Sequence, residues 1–320
     1  MSIPDTLRLK NSHLDVSVLP EIGAKIWDLV HLRSGHHFLW HNPRIQPQPY
    51  SIDANFDNYW CGGWDDGFPT CDSCDYRGEH YPGLGELRSL TWTVDSYSNE
   101  GSDPHIELST FGPINPVHAR KSVRLNGESL IYQFSVENIG PLPLDFIWGT
   151  HPAFRITKGA ILHIPAQTGI VGQATDASFG APGQRYHWPC LETPAGRVDM
   201  SRVPAPETGV AAGHYATDLS AGWYAIENPS LSAGILVEFP LHICPYIWMW
   251  LTYGGWRGYY VAVVEPWTSF PVTLSDAAAH RTNRVLAPAS TFACKLRVTP
   301  WTQPETLETT RNRMAKAACL

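Results

Sequence analysis

The chain has 320 residues, of which 43% are hydrophobic and 17% are charged, so it can bury a sizeable core and disorder is not expected. Its formal net charge is −7, and no basic cluster offsets that charge, which argues against nucleic acid or an anionic membrane as partner. No stretch approaches about 18 uninterrupted apolar residues, so no membrane span is expected.

Strand patterns dominate along the chain. Three early segments alternate apolar and polar residues with a period of two: LDVSV at 14–18, ARKSVRL at 119–125 and LIYQFSVE at 130–137. Three later segments are apolar nearly throughout, as in strands covered on both faces: 234–239, 246–251 and 259–267. The sequence therefore predicts an all-β protein.

Helical signals are weak, and the best one is the tail. Pro304 stands near a helix start and good helix formers follow it. The Pro/Gly-rich stretch from about Ala166 to Pro206 is interpreted as long loops rather than a linker between domains. We expect one domain over residues 1–302 and a tail over 303–320 that forms either a short helix or a frayed end.

The seven cysteines are odd in number and the chain is not small, so reduced thiols in the cytoplasm are expected rather than a disulfide framework. No charged start leads into an apolar run, so no secretion signal is predicted. Cys71 and Cys74 form a CxxC, but a zinc site would need a second ligand pair at similar spacing, and the sequence has none.

Polar residues interrupt strongly apolar or Gly-rich context in four segments: CGGWDDGFPTCD at 61–72, YPGLGELRSLTW at 81–92, FIWGTHPAFRI at 146–156 and VVEPWTSFP at 263–271. Glu265 is predicted at the end of a buried strand, where Pro266 breaks the ladder, and His151 has a similar position before Pro152. A buried carboxylate must be paired, hydrogen-bonded or functional, and a histidine moves protons near neutral pH. The alternative for each residue is a purely structural role, which the context of His151 favours. Nucleophilic-serine and nucleotide-binding motifs are not present.

Together these segments resemble the aldose 1-epimerase (galactose mutarotase-like) family, from about residue 7 to 300. GGWDDGFPT resembles the family's Gly-Gly…Phe-Pro loop, NIGPLPLDFIWGTHPAF the strand that carries the acid histidine, and VVEPWTSFP the strand that carries the base glutamate. The resemblance implies a large antiparallel β-sandwich, the supersandwich of galactose mutarotase-like proteins. It also implies a cofactor-independent isomerase whose partner is a small-molecule sugar.

Carried over residue by residue, the resemblance makes His151 the general acid and Glu265 the general base. Arg88, in GELRSLTW, matches an arginine that contacts sugar hydroxyls. The family histidine falls at Leu84, which removes a hydrogen-bonding ring from the expected sugar site, and Glu86 is expected to take on some sugar contact. The closing glycine is changed to Ala289.

Further site residues are expected from this interpretation. Asp65 and Asp66 are candidate hydroxyl acceptors, and His80 borders the site. Candidate stacking faces are Trp64, Trp148, Trp248, Trp250 and Trp267, of which Trp64 and Trp267 are preferred and the others are more often core residues.

Two alternatives remain open. One is a non-catalytic sugar-binding protein on the same fold. The other is a glycoside hydrolase or polysaccharide lyase, in which Glu265 would need a second carboxylate such as Asp65, Asp66 or Glu86. Arg77, Arg88, Arg155 and Arg257 leave a phosphorylated or acidic sugar open, and the oligomeric state cannot be inferred from the sequence.

Overall fold

The computed structural model describes residues 4–99, 101 and 103–317. The first nine strands are β1 Leu7–Lys10, β2 Leu14–Leu19, β3 Lys25–His31, β4 His36–His37, β5 Trp64–Gly67, β6 Cys74–Tyr76, β7 Glu79–Tyr81, β8 Thr93–Ser98 and β9 His105–Phe111. The next nine are β10 Val117–Asn126, β11 Ser129–Asn138, β12 Leu144–Phe146, β13 Gly149–Phe154, β14 Ile161–His163, β15 Thr168–Ala174, β16 Arg185–His187, β17 Cys190–Thr193 and β18 Gly196–Asp199. The last seven are β19 Val210–Thr217, β20 Trp223–Asn228, β21 Ala233–Glu238, β22 Tyr246–Tyr253, β23 Tyr260–Trp267, β24 Arg284–Leu286 and β25 Thr291–Thr302.

Helices are few in the described residues. Two are α-helical, α1 Leu274–Ala279 and α2 Leu307–Ala317, and single 3-10 turns are Phe56–Asn58, Ala177–Phe179, Pro206–Thr208 and Pro229–Leu231. None of the helices in this part of the chain is long and apolar enough to cross a membrane.

Two large antiparallel sheets form a sandwich, which confirms the predicted fold class. The larger sheet runs β1-β2-β3-β5-β13-β23-β22-β19-β15-β16-β17-β18, with β4 paired to β3. The smaller runs β14-β20-β21-β25-β11-β10-β9-β8. The core between them draws side chains from both sheets, including Val16 and Met249 from one and Phe134 and Leu296 from the other.

The alternating segments form strands as predicted. Leu14, Val16 and Val18 of β2 are buried in this core, and Ala119 to Leu125 alternates along β10 in register with β11. The three apolar segments become β21, β22 and β23, which have buried residues on both faces. β22 and β23 belong to the larger sheet. Because both faces of these strands are apolar, a second layer must cover the larger sheet.

That second layer lies on the face of the larger sheet turned away from the core. Alternate residues of β22 and β23, such as Trp248, Val263 and Trp267, point away from the core and pack in two smaller clusters on this face. Loops before β5 and after β7 and β23 cover this face. In one of them Gly62 is required, because a Cβ at that position would lie 2.1 Å from the Trp40 carbonyl oxygen.

Two expectations about loops and strand ends differ from the structure. The stretch 166–206 is not a set of long loops, because it forms β15 to β18, whose short strands extend the larger sheet between Pro and Gly turns. His151 lies within β13 rather than at a strand end, and β23 continues through Pro266 to Trp267. The ladder tolerates Pro152 because its nitrogen falls where pairing between β13 and β23 is interrupted.

The tail carries α2, whose Met314 packs against Ala225, Leu236 and Trp301 of the smaller sheet. Residues 318–320 of the predicted tail, including Cys319, lie outside the described residues. The domain boundary at residue 302 stays a prediction.

Candidate active site

His151 and Glu265 face each other from neighbouring strands. Ala153 of β13 lies opposite Val263 of β23. The strands are antiparallel, so two residues before Ala153 and two residues after Val263 the register places His151 opposite Glu265. Side chains in this relation have Cβ atoms about 5 Å apart. Both line one cavity of about 820 Å³ on the outer face of the larger sheet. The structure therefore brings the predicted catalytic pair together.

Burial sets the protonation of this pair. His151 is 7% exposed, and its burial lowers its pKa to about 4, with Asp65 opposing and Lys25 reinforcing that shift. Its Nδ1 has no hydrogen-bond partner among the described residues. Glu265 is 2% exposed, and burial raises its pKa well above its usual range. Burial therefore disfavours the charged form of both groups.

Trp267 orients Glu265 instead of offering a stacking face to a sugar. Its Nε1 donates to Glu265 Oε2 at 2.9 Å, which lowers the carboxyl pKa against the effect of burial. The indole is fully buried and stacks on Trp248, with ring centroids 4.0 Å apart. Trp248 and Trp250 do line the cavity, whereas Trp148 packs in the core against Phe134.

Asp65 lies beside His151 but is already paired. It faces His151 across β5 and β13, and it accepts a hydrogen bond from the buried ammonium of Lys25. The same Lys25 Nζ donates to the Gly62 carbonyl at 2.8 Å. Asp65 therefore acts on the His151 imidazole as part of a buried ion pair, and it is not a free acceptor for sugar hydroxyls.

Asp66 and Trp64 point to the opposite face of β5, into the core. Asp66 accepts from the Tyr132 hydroxyl at 2.6 Å and pairs with Lys121 Nζ at 2.7 Å. The Trp64 ring packs on Tyr132 at 5.5 Å between centroids. Consecutive strand residues face opposite ways, so only one of the two aspartates could reach the cavity side.

Arg88 and Glu86 hold loops together rather than line the cavity. The Arg88 guanidinium donates to the carbonyls of Gly83, Ala54 and Ile52, while its Nη1 has no partner in the described part of the chain. Glu86 accepts from the amide nitrogens of Ile114 and Asn115 and from the Asn115 side chain. Both residues are buried, and their contacts fix the loops that wall the site.

His80 and Leu84 do lie at the cavity. His80 is exposed at its rim and bonds to Asp75 at 2.7 Å. Leu84 is buried in the lining, with φ of +57°. An apolar side chain thus stands where the resembling family has a histidine, and this edge of the cavity offers no hydrogen bond from that side chain.

Several lining residues were not predicted from the sequence. The rings of Phe56 and Trp60, together with the predicted candidate Trp250, surround the His151 imidazole, with centroids 5.9, 5.8 and 6.5 Å away. Asp57 and Asp72 face the same space, and burial raises the pKa of both. Phe56 and Trp60 come from a loop without strand periodicity, so no sequence pattern distinguished them from the other aromatic residues.

The thiols of the described residues do not form a metal site. In the described residues no group of three or more His, Cys, Asp or Glu side chains is placed to hold a metal ion. Cys71 lines the cavity, and burial raises the pKa of its thiol well above the usual value.

No family model and no curated protein matches this chain. Solved structures do. The Slr1438 protein of Synechocystis sp. PCC 6803 is 18% identical and superposes with a TM-score of 0.70 over 94% of this chain and 97% of its own. A galactose mutarotase related enzyme of Lactobacillus acidophilus is 15% identical, with a TM-score of 0.68 over 94% and 99%. A galactose mutarotase-like protein of Lactobacillus casei ATCC 334 is also 15% identical, with a TM-score of 0.65 over 93% and 100%. At these identities the likeness shows the fold alone.

Proposed function

We propose that this protein is a cofactor-independent sugar 1-epimerase, which interconverts the α and β anomers of an uncharged reducing sugar. The observation that carries the proposal is the pairing of His151 and Glu265 across two strands, both nearly buried and both facing one cavity. The fold shared with galactose mutarotase-like proteins supports it.

Anomer exchange requires one acid and one base at a single ring. The base removes the proton from the anomeric hydroxyl, the acid delivers a proton to the ring oxygen, and the bond between C1 and that oxygen breaks. The open aldehyde then rotates about the C1–C2 bond and closes by the reverse steps. No atom or electron is exchanged with a cofactor, and each proton transfer is typically worth about 10²–10⁴-fold.

The proton count of the pair suits this reaction. When Glu265 and His151 share one proton, one group is a donor while the other is an acceptor. The carboxylate–imidazolium form, with Glu265 as base and His151 as acid, has the same net charge as the neutral form. Substrate hydroxyls between the two groups can carry the proton from one form to the other.

The aromatic rings around His151 support the proposal in a second way. Phe56, Trp60 and Trp250 keep the imidazole out of bulk water. Shielding the imidazole from water strengthens its electrostatic interactions with groups in the site.

The charges of the lining favour a sugar without a phosphate. Among the described residues, the cavity is lined by Asp53, Asp57 and Asp72 and by no lysine or arginine. Arg77 is paired with Asp145 at 2.7 Å, and Arg257 holds the backbone carbonyl of Asp57. A phosphate group would need guanidinium or ammonium donors, whereas carboxylates accept hydrogen bonds from sugar hydroxyls.

The hydrolase alternative loses its predicted second carboxylate. Asp65 is paired with Lys25, Asp66 with Lys121, and Glu86 with backbone amides. Each of the three is therefore already engaged, and Glu265 has none of them as a free partner. A binding protein remains the second candidate, and Leu84 favours it because a hydrogen-bonding group is missing there.

Anomer exchange measured by NMR tests the proposal. Free sugars and their phosphorylated counterparts are compared with wild type, His151→Gln and Glu265→Gln. We expect exchange of an uncharged sugar to exceed the buffer rate, and each substitution to lower kcat/KM by about 10²–10⁴-fold.

His163 and Glu227 provide matched controls for these variants. They form the same type of pair, 2.9 Å apart, on the smaller sheet. His163→Gln and Glu227→Gln should exchange sugar at the wild-type rate. Sugar binding without exchange in wild type would replace the epimerase with the binding protein, and exchange restricted to phosphorylated sugars would overturn the assignment of an uncharged substrate.

A further inference from the structure

The cavity is larger than one sugar ring requires. A hexose has about twelve non-hydrogen atoms, so it occupies at most about 360 Å³ even at the volume of about 30 Å³ that liquid water takes per molecule. The cavity measures about 820 Å³. More than half of it therefore remains free when one ring contacts the catalytic pair.

The cavity lining extends from Glu265 along neighbouring strands of the larger sheet. The lining continues from β23 across β22 and β19 to β15, where it includes Trp248, Tyr215 and Gln173. Three strand spacings of about 4.8 Å give about 14 Å in that direction. The part of the cavity that runs along these strands, here called the trough, therefore lies beside the catalytic pair.

Small residues form the floor of the distant part. Gly213 lies between Trp250 and Gln173 in register, and Gly172 forms the bulge of β15 beside it. A Cβ at Gly172 would lie 3.0 Å from a Tyr215 ring carbon, and a Cβ at Gly213 would lie 3.1 Å from Gln173 Cγ. Neither glycine has a positive φ, so a side chain at either position would have to displace these neighbouring atoms rather than strain the backbone.

The sides of this part suit a second sugar ring. Trp250 lies opposite Gly213 on β22, Tyr215 lies two residues further along β19, and both line the cavity. The exposed Gln173 amide supplies both donors and an acceptor for hydroxyls. A pyranose ring has a surface that complements apolar ring faces combined with a few hydroxyl-binding groups.

We propose that the trough over Gly172 and Gly213 is a second sugar subsite, so that the substrate is the reducing end of a disaccharide or short oligosaccharide. This inference rests on the proposed function, because it takes the ring at His151 and Glu265 as the one that opens. The anomeric hydroxyl of that ring must be free, so the second ring is joined through another hydroxyl and extends toward β15.

The test compares each disaccharide with its own reducing-end monosaccharide. Anomer exchange of glucose is measured by NMR beside that of maltose, cellobiose, lactose and isomaltose. We expect kcat/KM of at least one disaccharide to exceed that of glucose by about tenfold, since stacking of a second ring on aromatic surface contributes about 1 kcal/mol or more.

Gly213→Ile fills the subsite with a branched side chain that a strand accommodates. It should lower the ratio of disaccharide to glucose kcat/KM by about tenfold, through KM of the disaccharide. Ser122→Ile makes the same kind of change on the outer face of β10 and should leave that ratio at the wild-type value. If Gly213→Ile does not fold, Gln173→Ala is tested in its place. This variant should raise KM for the disaccharide and leave KM for glucose unchanged.

The two proposals fail differently. Exchange of glucose with kcat/KM at least equal to that of every disaccharide would overturn the second subsite and leave the epimerase intact. Exchange of none of these sugars, with wild-type protein that is folded, would overturn the epimerase and this inference with it. A ratio that Gly213→Ile leaves unchanged would assign the preference to another surface and contradict the proposed position.

Discussion

The protonation of His151 and Glu265 can be read from the pH dependence of exchange. Activity requires one proton on the pair, so it is lost when a second proton is added and when the last one leaves. Because burial lowers the pKa of His151 to about 4, the acid limb of kcat/KM is expected near pH 4. The alkaline limb is expected well above the usual range of a carboxyl group, because burial raises the pKa of Glu265. An acid limb near pH 6.5, after subtraction of the buffer rate, would mean that the imidazole is solvated.

Trp267 is predicted to tune the base. Trp267→Phe removes the N–H that donates to Glu265 and preserves an aromatic ring against Trp248. A hydrogen bond to a charged group contributes about 1.5–3 kcal/mol, so its loss should raise the carboxyl pKa by about 1–2 units and move the alkaline limb to higher pH. Trp148→Phe is the matched control, because that buried indole N–H has no partner in the described residues. If both variants keep the wild-type limb, the bond has no role in catalysis.

The junction of β3 and β5 depends on side chains as much as on backbone. A single backbone pairing, Ile26 with Trp64, joins the two strands, and the buried Lys25–Asp65 pair lies beside it. Removing one member of a buried pair leaves an uncompensated charge at a cost of about 3–5 kcal/mol. We therefore expect Lys25→Met to lower the free energy of unfolding by that amount.

Urea unfolding measures this loss, and the double variant separates its causes. Lys25→Met with Asp65→Asn should recover most of the stability, since no unpaired charge remains. Arg202→Met breaks the exposed pair with Asp199 and is expected to cost under about 1 kcal/mol. A double variant as unstable as Lys25→Met alone would show that the loss comes from packing.

At the scale of single strands and loops, the sequence predicts the positions of strands better than it predicts which side chains pair with one another. Period-two alternation identified β2, β10 and β11 because their inward residues must be apolar wherever one face is covered. It could not say which of Asp65 and Asp66 faces the cavity, since consecutive strand residues differ only by the face they occupy. It also gave no sign that Lys25, forty positions earlier, neutralises Asp65.

The same limit applies to loops. Arg88 and Glu86 have the composition of ligand-binding residues in a Gly-rich segment, yet both bind backbone groups. A buried loop must satisfy its own amides and carbonyls, and a charged side chain that does so cannot be told from a ligand contact by sequence. His151 and Glu265 were candidates from their apolar strand context, and the resemblance supplied the roles that are proposed for them.

At the scale of the whole molecule, the two sheets bury histidine and carboxyl groups whose shifted pKa values make the stability depend on pH. His214 of β19 is 1% exposed and faces Tyr186, with its Nδ1 3.1 Å from the Tyr186 hydroxyl. Burial lowers its pKa to about 4, as for His151. Buried carboxyl groups such as Glu265 and Glu86, whose pKa values burial raises, shift the stability in the opposite direction. The pH dependence of wild type is therefore a balance, and a single histidine is visible only as a difference between variants.

His214→Gln isolates one contribution to that balance. Between pH 6.5 and about 4 the unfolded chain binds a proton at His214 and the native protein does not, so the stability that this residue contributes is lost as the pH falls. At about 1.4 kcal/mol per unit, lowering the pH from 7 to 4.5 should destabilise wild type by about 2–3 kcal/mol more than the variant. Tyr186→Phe, which removes the partner but keeps the imidazole, should retain the wild-type pH dependence in urea unfolding. Equal pH dependence in wild type and His214→Gln would mean that water reaches this histidine in the folded protein.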